Sequence, residues 1–279
     1  MYCSRHPFAI AMCSISVWAQ WSGAAAGAPL PIDLTGWTEQ GPPANGTWAV
    51  SGGGTEVSQS LNGGPTFFVS PNAYINTTFT GKFMVQTAGD DDIIGFVFGY
   101  RSPLAGDATD DFDFLLFDWK QLQQFFAATT AQEGFSLNRV NGTFEALPIN
   151  GGVNDVFWHH EQGGGNDLTG FDVLGSDWGP TRGWEDNTEY EFTLLYQTDR
   201  IKIDLKGGSG TFAAGQTIFD VAGSFQAGRF GFYDYSQGLV KYQGFTAEET
   251  PVPEPASVLL LATGVVGLTL VRRRGDKGR

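Results

Sequence analysis

The sequence predicts an all-β fold, one double-sheet sandwich of jelly-roll type. Three observations predict it. Glycine occurs 39 times and proline 13 times in 279 residues, which suits short strands joined by tight turns and argues against a helical bundle. Hydrophobic residues make up 41% and aromatic residues 14%, enough apolar surface for a large core and too much for a disordered chain. The interior of the chain alternates apolar and polar residues with a period of two, not 3.6.

The N-terminal stretch is set apart. Arg5 and His6 precede an apolar run from Phe8 to Trp18, followed by small residues from Ser22 to Ala28. The run is too short to span a bilayer and has the layout of a secretory leader. Residues 1–28 are read as a signal peptide cleaved after Ala28, with Ala24-Ala25-Ala26 as the other candidate site. Both cysteines, Cys3 and Cys13, fall inside it. Residues 29–250 therefore have no cysteine, which excludes disulfides, thiol chemistry and Cys-based zinc sites there. They keep 10 Lys+Arg and 28 Asp+Glu, so the net charge of −14 for the whole chain becomes 10 − 28 = −18. A surface this acidic is repelled by phosphate backbones, so nucleic acid is excluded as a partner.

Residues 29–250 read as one β domain. Phe79, Gly81, Phe83 and Val85 alternate with Thr80, Lys82 and Met84. Tyr190 to Tyr196 and Ile201 to Leu205 alternate in the same way. Ile93 to Tyr100 and Phe112 to Trp119 are apolar almost throughout, as expected of strands covered on both faces. Asn62-Gly63-Gly64, Asn141-Gly142, Asn150-Gly151-Gly152 and Gly207-Gly208 mark turns. Thr169 to Trp184, with its glycines and weak periodicity, is expected to be a long structured loop.

The C-terminus carries Pro253-Glu254-Pro255, an apolar run from Ala256 to Val271, then Arg272-Arg273-Arg274. The run of 16 residues is just under a usual membrane span of about 20. The basic cluster would stay on the cytoplasmic side. In this order the three parts resemble the PEP-CTERM sorting signal of Gram-negative bacteria. That resemblance implies recognition and removal of residues 251–279 by an exosortase-type enzyme. It also implies a transient inner-membrane anchor and residence in the cell envelope, where such proteins are associated with exopolysaccharide.

The central segment is the most specific. Asp90-Asp91-Asp92 runs into Gly95-Phe96-Val97-Phe98-Gly99-Tyr100, and the next strand ends in Trp119-Lys120-Gln121. Phe157-Trp158-His159, Gly183-Trp184-Glu185-Asp186, Gly228-Arg229-Phe230-Gly231 and Ser236-Gln237 follow. Together, from about Ile32 to Glu248, they resemble the thrombospondin C-terminal domain. That resemblance implies a concanavalin-like (L-type-lectin-like) β-sandwich that binds calcium and acts in extracellular adhesion and matrix contacts. Animal thrombospondins carry Asp-rich calcium repeats before this domain. None occur in these 279 residues, so contacts made through the repeats are not carried over.

Calcium wants 6–8 oxygen ligands. Asp90, Asp91 and Asp92 sit where a loop enters a buried strand, and adjacent carboxylates repel one another unless a positive charge sits among them. A second acidic loop holds Asp110, Asp111 and Asp113. Both are candidate calcium sites, and neither has the glycine and glutamate spacing of an EF-hand. A glycoside hydrolase would need paired carboxylates across a cleft. The stretch holding Asp111, Asp113 and Asp118 has no glutamate, so hydrolysis is the weaker reading and no enzyme is expected. A calcium-dependent lectin is the intermediate alternative, with Trp178 and Trp184 as candidate sugar-stacking residues. The expected ligand is a matrix or surface polysaccharide or protein.

Overall fold

In the computed structural model the chain is described over residues 28–102, 112–126, 129–142, 157–158 and 170–249. The sorting signal and nearly all of the expected leader lie outside these residues, as do Asp110 and Asp111. Residues 26–252 form one compact unit.

The strands are β1 (Leu30–Pro31), β2 (Thr38–Gln40), β3 (Trp48–Ser51), β4 (Glu56–Gln59), β5 (Thr66–Tyr74), β6 (Thr77–Val85), β7 (Ile93–Ser102), β8 (Phe112–Lys120), β9 (Gln124–Phe126), β10 (Thr129–Ala131), β11 (Gly134–Gly142), β12 (Phe171–Trp178), β13 (Tyr190–Tyr196), β14 (Arg200–Gly207), β15 (Gln216–Ala222), β16 (Gly228–Tyr235) and β17 (Val240–Glu249). One sheet runs β12-β11-β8-β7-β16-β5-β2. The other runs β15-β14-β13-β6-β17-β4-β3, with β1 beside β17, and β9 pairs with β10 in a separate ribbon. Among the described residues every pairing is antiparallel. Helical backbone is confined to Phe157 and Trp158 among them. The all-β sandwich expected from the sequence is the observed architecture.

Alternation decides which face packs inward. In β6 the odd-numbered residues Thr77 to Val85 are buried and the even-numbered ones half-exposed. β13 and β14 follow the same rule. Gly81 breaks the apolar row for a packing reason. A Cβ there would stand 2.6 Å from the Phe245 ring, so glycine lets that ring lie on the strand. The inner core joins the two sheets through residues such as Phe83, Phe96, Phe117, Phe192 and Phe232.

β7 and β8 are covered on both faces, as their apolar runs predict. Phe96, Phe98, Phe117 and Trp119 point into the inner core. Val97, Tyr100, Phe114 and Leu116 join a second apolar cluster with Phe157 and Trp158 on the outer face.

The stretch expected to be a loop is partly a strand. β12 pairs with β11 at the sheet edge, with a register shift between Leu137 and Asn138. Most of its residues are half-buried, which blurs the period of two. Gly175 is required there by packing: a Cβ would lie 2.9 Å from the Phe219 ring.

The topology places one set of strand ends together. Ile93 pairs with Lys120 and with Tyr235, Val240 with Gln59, and Asp234 with Thr66. The start of β7, the ends of β8, β16 and β4, and the starts of β5 and β17 therefore meet at one pole of the sandwich.

Candidate cation site at one pole of the sandwich

Asp90, Asp91 and Asp92 lie at that pole, immediately before β7. A carboxylate oxygen from each lies within 4.8 Å of the others. Part of the compensating charge comes from Lys120, the last residue of β8. Its side chain is fully buried. Its Nζ donates to Asp92 Oδ1 at 3.0 Å, to the Asp91 carbonyl at 3.0 Å and to Gln124 Oε1 at 3.1 Å. It also lies 4.6 Å from the centroid of the Trp158 ring. All three ammonium protons are used, which is what lets a lysine sit in the interior.

A further carboxyl lies on the opposite flank, outside the 4.8 Å cluster. Asp234 on β16 is fully buried. Gln59 Nε2 donates to its Oδ1, while its Oδ2 has no hydrogen-bond partner. Asn62 Nδ2 donates to Asp90 Oδ2 at 2.7 Å, and Ser236 Oγ donates to Asn62 Oδ1 at 3.1 Å. The Asp92 amide donates to Gln237 Oε1 at 3.0 Å. Side-chain amides thus brace the acidic groups from the β4, β16 and β17 sides.

Burial, and after it the charge of Asp92, pushes the Asp90 carboxyl up to about 6. Burial drives Asp234 well above the usual carboxylate range, with Asp90 and Asp92 adding like charge. Asp90 and Asp234 therefore favour the protonated form. Three carboxylates within 4.8 Å of one another, with a buried carboxyl on their flank, have the chemistry of a hard-cation donor set.

A carboxyl whose pKa is raised by folding stabilises the fold only while protonated. For Asp90 that contribution is complete below the unfolded value and is lost as pH rises through about 6. In chelator at neutral pH, Asp90→Asn is therefore expected to melt above the parent protein. The gap should shrink as pH falls below about 6 and close near the unfolded carboxyl value of 3.8. Melting curves in chelator across that window check it, and a pH-independent gap would refute it.

The residues singled out from sequence separate in space. Asp113 lies at the far end of β8, about 20–30 Å from the triplet at roughly 3.3 Å per strand residue. Its Oδ1 accepts from Arg101 Nη2 at 2.7 Å. It does not join Asp90, Asp91 and Asp92 on one ion. Trp178 is half-buried on β12, and its indole N–H donates to Ser136 Oγ at 3.3 Å. Trp184 is only 3% exposed and packs in the inner core, so the expectation that it offers a sugar-stacking face is corrected. Asp234, Gln59 and Asn62 flank the triplet without having been marked for it. The signal available was Asp234 itself, a carboxylate inside the apolar strand Phe230 to Tyr235.

Beside the triplet is a recess of about 700 Å³, lined by Asp90, Asp91, Gln124, Glu133, Glu185 and Asp186 among others. Glu133 Oε1 accepts from the amides of Arg182 and Gly183 at 3.0 and 3.2 Å. The Glu185 carboxylate accepts from the amides of Ser209 and Gly210 and from Ser209 Oγ. Both glutamates serve as acceptors for backbone turns.

A family profile described as the thrombospondin C-terminal region matches residues 43–248. The chain belongs to this family. A second profile, the PEP-CTERM protein-sorting motif, matches residues 251–274. Thrombospondin-2 of Gallus gallus is 29% identical over 230 residues, covering 78% of this chain and 17% of that protein. Cartilage oligomeric matrix protein of Rattus norvegicus is 29% identical over 201 residues, covering 68% and 24%. Thrombospondin-3 of Homo sapiens is 31% identical over 204 residues, covering 68% and 19%. The chain thus spans about a fifth of the length of these thrombospondin relatives. Solved structures with a similar fold include the carbohydrate-binding module CBM66 from Bacillus subtilis, with a TM-score of 0.48, 16% identity and coverage of 77% and 96%. The VIP36 exoplasmic/lumenal domain in its Ca2+/Man-bound form has a TM-score of 0.45, 12% identity and coverage of 79% and 85%. In this thrombospondin C-terminal domain, the acidic triplet falls inside the matched region.

Proposed function

We propose that the protein is a secreted, calcium-binding, non-catalytic β-sandwich that works in cell-surface adhesion or in association with an exopolysaccharide or biofilm matrix. The observation that carries this is the cluster of Asp90, Asp91 and Asp92, whose carboxylate oxygens lie within 4.8 Å of one another, with buried Asp234 on its flank. Asp90, Asp91, Asp92 and Asp234 would hold the ion. Calcium suits a site of carboxylates and amides on loops, because it accepts flexible geometry, whereas magnesium demands a tight octahedron. The binding role, as against catalysis, is supported by Glu133 and Glu185, whose carboxylates are already committed to backbone amides. Calorimetric titration of the chelator-stripped protein with calcium is the direct test. Saturable binding that Asp234→Asn abolishes is expected, and a flat titration of the parent protein would sink the reading.

The organisation proposed is a leader over 1–28, the sandwich over 29–250 and a sorting tail over 251–279. The tail would hold the protein at the inner membrane of a Gram-negative bacterium until an exosortase-type enzyme acts at Pro253-Glu254-Pro255. Deleting Pro253 to Arg279 is expected to release the protein into the periplasm or medium, as read by fractionation and immunoblot. Unchanged envelope retention of the truncated protein would count against the sorting role.

A further inference from the structure

Seven large apolar side chains are exposed among the described residues. Five of them surround the acidic pole: Leu61, Leu122, Phe125, Phe126 and Leu239. Phe125 is 72% exposed and Phe126 53%. Leu61 precedes Asn62, which holds Asp90. Leu122 lines the recess beside Asp90 and Asp91. Phe125 follows Gln124, which binds Lys120, and Phe126 rests edge-on against Trp158 at 5.3 Å. Single exposed leucines are ordinary, but a group of this size in one place marks a contact surface.

Leu239 supplies an independent observation. Its φ is 59°, the left-handed region that a bulky side chain avoids. Its carbonyl accepts from the Gln86 amide at 2.8 Å, so the fold fixes this conformation. Glycine would relieve the strain. An exposed leucine kept in a glycine-like conformation points to use of its side chain.

The charge around this rim is one-sided. Asp90, Asp91, Glu133, Glu185 and Asp186 line the recess, and among the described residues no basic side chain does. One divalent ion at the triplet still leaves it negative.

We propose that this pole docks a protein partner whose contact face combines apolar side chains with lysine or arginine. A second copy of the chain fits less well, since it would bring the same acidic pole. A bilayer fits less well, because anionic headgroups are repelled. A polysaccharide fits less well because three of the five side chains are leucines, which offer no flat ring to a sugar.

The test uses the purified mature protein and a random-peptide display library, counter-selected on a Leu122→Ser/Phe125→Ser/Phe126→Ser variant. Enriched peptides are expected to combine apolar residues with lysine or arginine. A synthetic peptide of the leading sequence should bind the parent at least about tenfold more tightly than the variant, as for loss of a central contact. Its affinity should fall as salt is raised. Leu239→Gly is expected to raise the melting temperature and weaken the same peptide, an outcome that simple loss of folding cannot give. The variant should retain any calcium-dependent melting shift, which keeps this surface separate from the ion site. Peptides without basic residues, or peptides that bind the variant equally well, would overturn the proposal. So would calcium-dependent sedimentation with phosphatidylglycerol vesicles, or retention on a neutral polysaccharide, that the triple variant loses. Either result would give the pole to lipid or sugar instead.

Discussion

Trp119→Ala is expected to be among the most damaging single substitutions in the domain, costing about 3–5 kcal/mol. The side chain is 0% exposed. It stacks on Phe135 at 4.6 Å and meets Tyr190, Phe212 and Phe83 edge-on at 4.8, 5.5 and 5.7 Å. Phe135 belongs to one sheet, Tyr190 and Phe83 to the other, and Phe212 to the turn after β14, so the substitution opens a hole where the sheets are joined and the neighbours cannot all collapse into it. Its indole N–H also donates to the Arg182 carbonyl at 2.6 Å. For a domain of this size, roughly 2–4 °C of melting temperature is lost per kcal/mol, so a fall of about 6–20 °C should be read by calorimetry. Trp119→Phe keeps most of the ring contacts and loses the hydrogen bond, and should fall between the two. A loss below about 1 kcal/mol for the alanine variant, typical of surface sites, would contradict the packing described.

Calcium is expected to raise the melting temperature of the chelator-stripped protein by roughly 5–11 °C at a hundredfold excess over Kd. An ion bound only by the folded state contributes about 2.7 kcal/mol there. Magnesium at the same concentration should do much less. The variants discriminate because the carboxylates play unlike parts. Asp90→Asn and Asp234→Asn should lose most of the calcium shift without weakening the metal-free fold, since both groups are held against their own charge. Asp92→Asn is different. It removes the 3.0 Å charge partner of the buried Lys120 ammonium and leaves it the Asp91 carboxylate at 3.5 Å, so the loss stays below the roughly 3–5 kcal/mol of a fully broken buried pair. It should therefore be less stable with and without calcium. Equal melting of the parent in calcium and in chelator would remove the ion from this pole.

Much of the fold was legible because the relevant signal is local. The residues Phe79 to Val85, Tyr190 to Tyr196 and Ile201 to Leu205 declare their strands by alternation, and β7 and β8 declare burial on both faces by continuous apolar runs. β12 was not legible: an edge strand with half-buried residues on both faces has little periodicity to read. The acidic triplet was visible as a cluster, but its partners were not. Asp234 lies more than a hundred residues away in the chain, and only the order β8-β7-β16 brings it alongside. The same order shows that the positive charge demanded by three adjacent carboxylates is partly supplied from within, by Lys120. Trp184 failed as a surface aromatic because neighbours in sequence that look loop-like say nothing about which ring turns inward.

The direction of β17 has a mechanical consequence. Val240 pairs with Val85 at the acidic pole, and Glu249 pairs with Thr77 at the other end, about 30 Å away at roughly 3.3 Å per residue. A ligand held at the acidic pole and a chain drawn out beyond Glu249 would pull along this strand. Its ladder bonds to β6 run across the strand, so a lengthwise pull loads many of them together in shear instead of opening them one at a time. β4 and β1 grip its other edge. A pull between the two ends of β17 would thus fall on a strand braced on both sides, within the central part of its sheet.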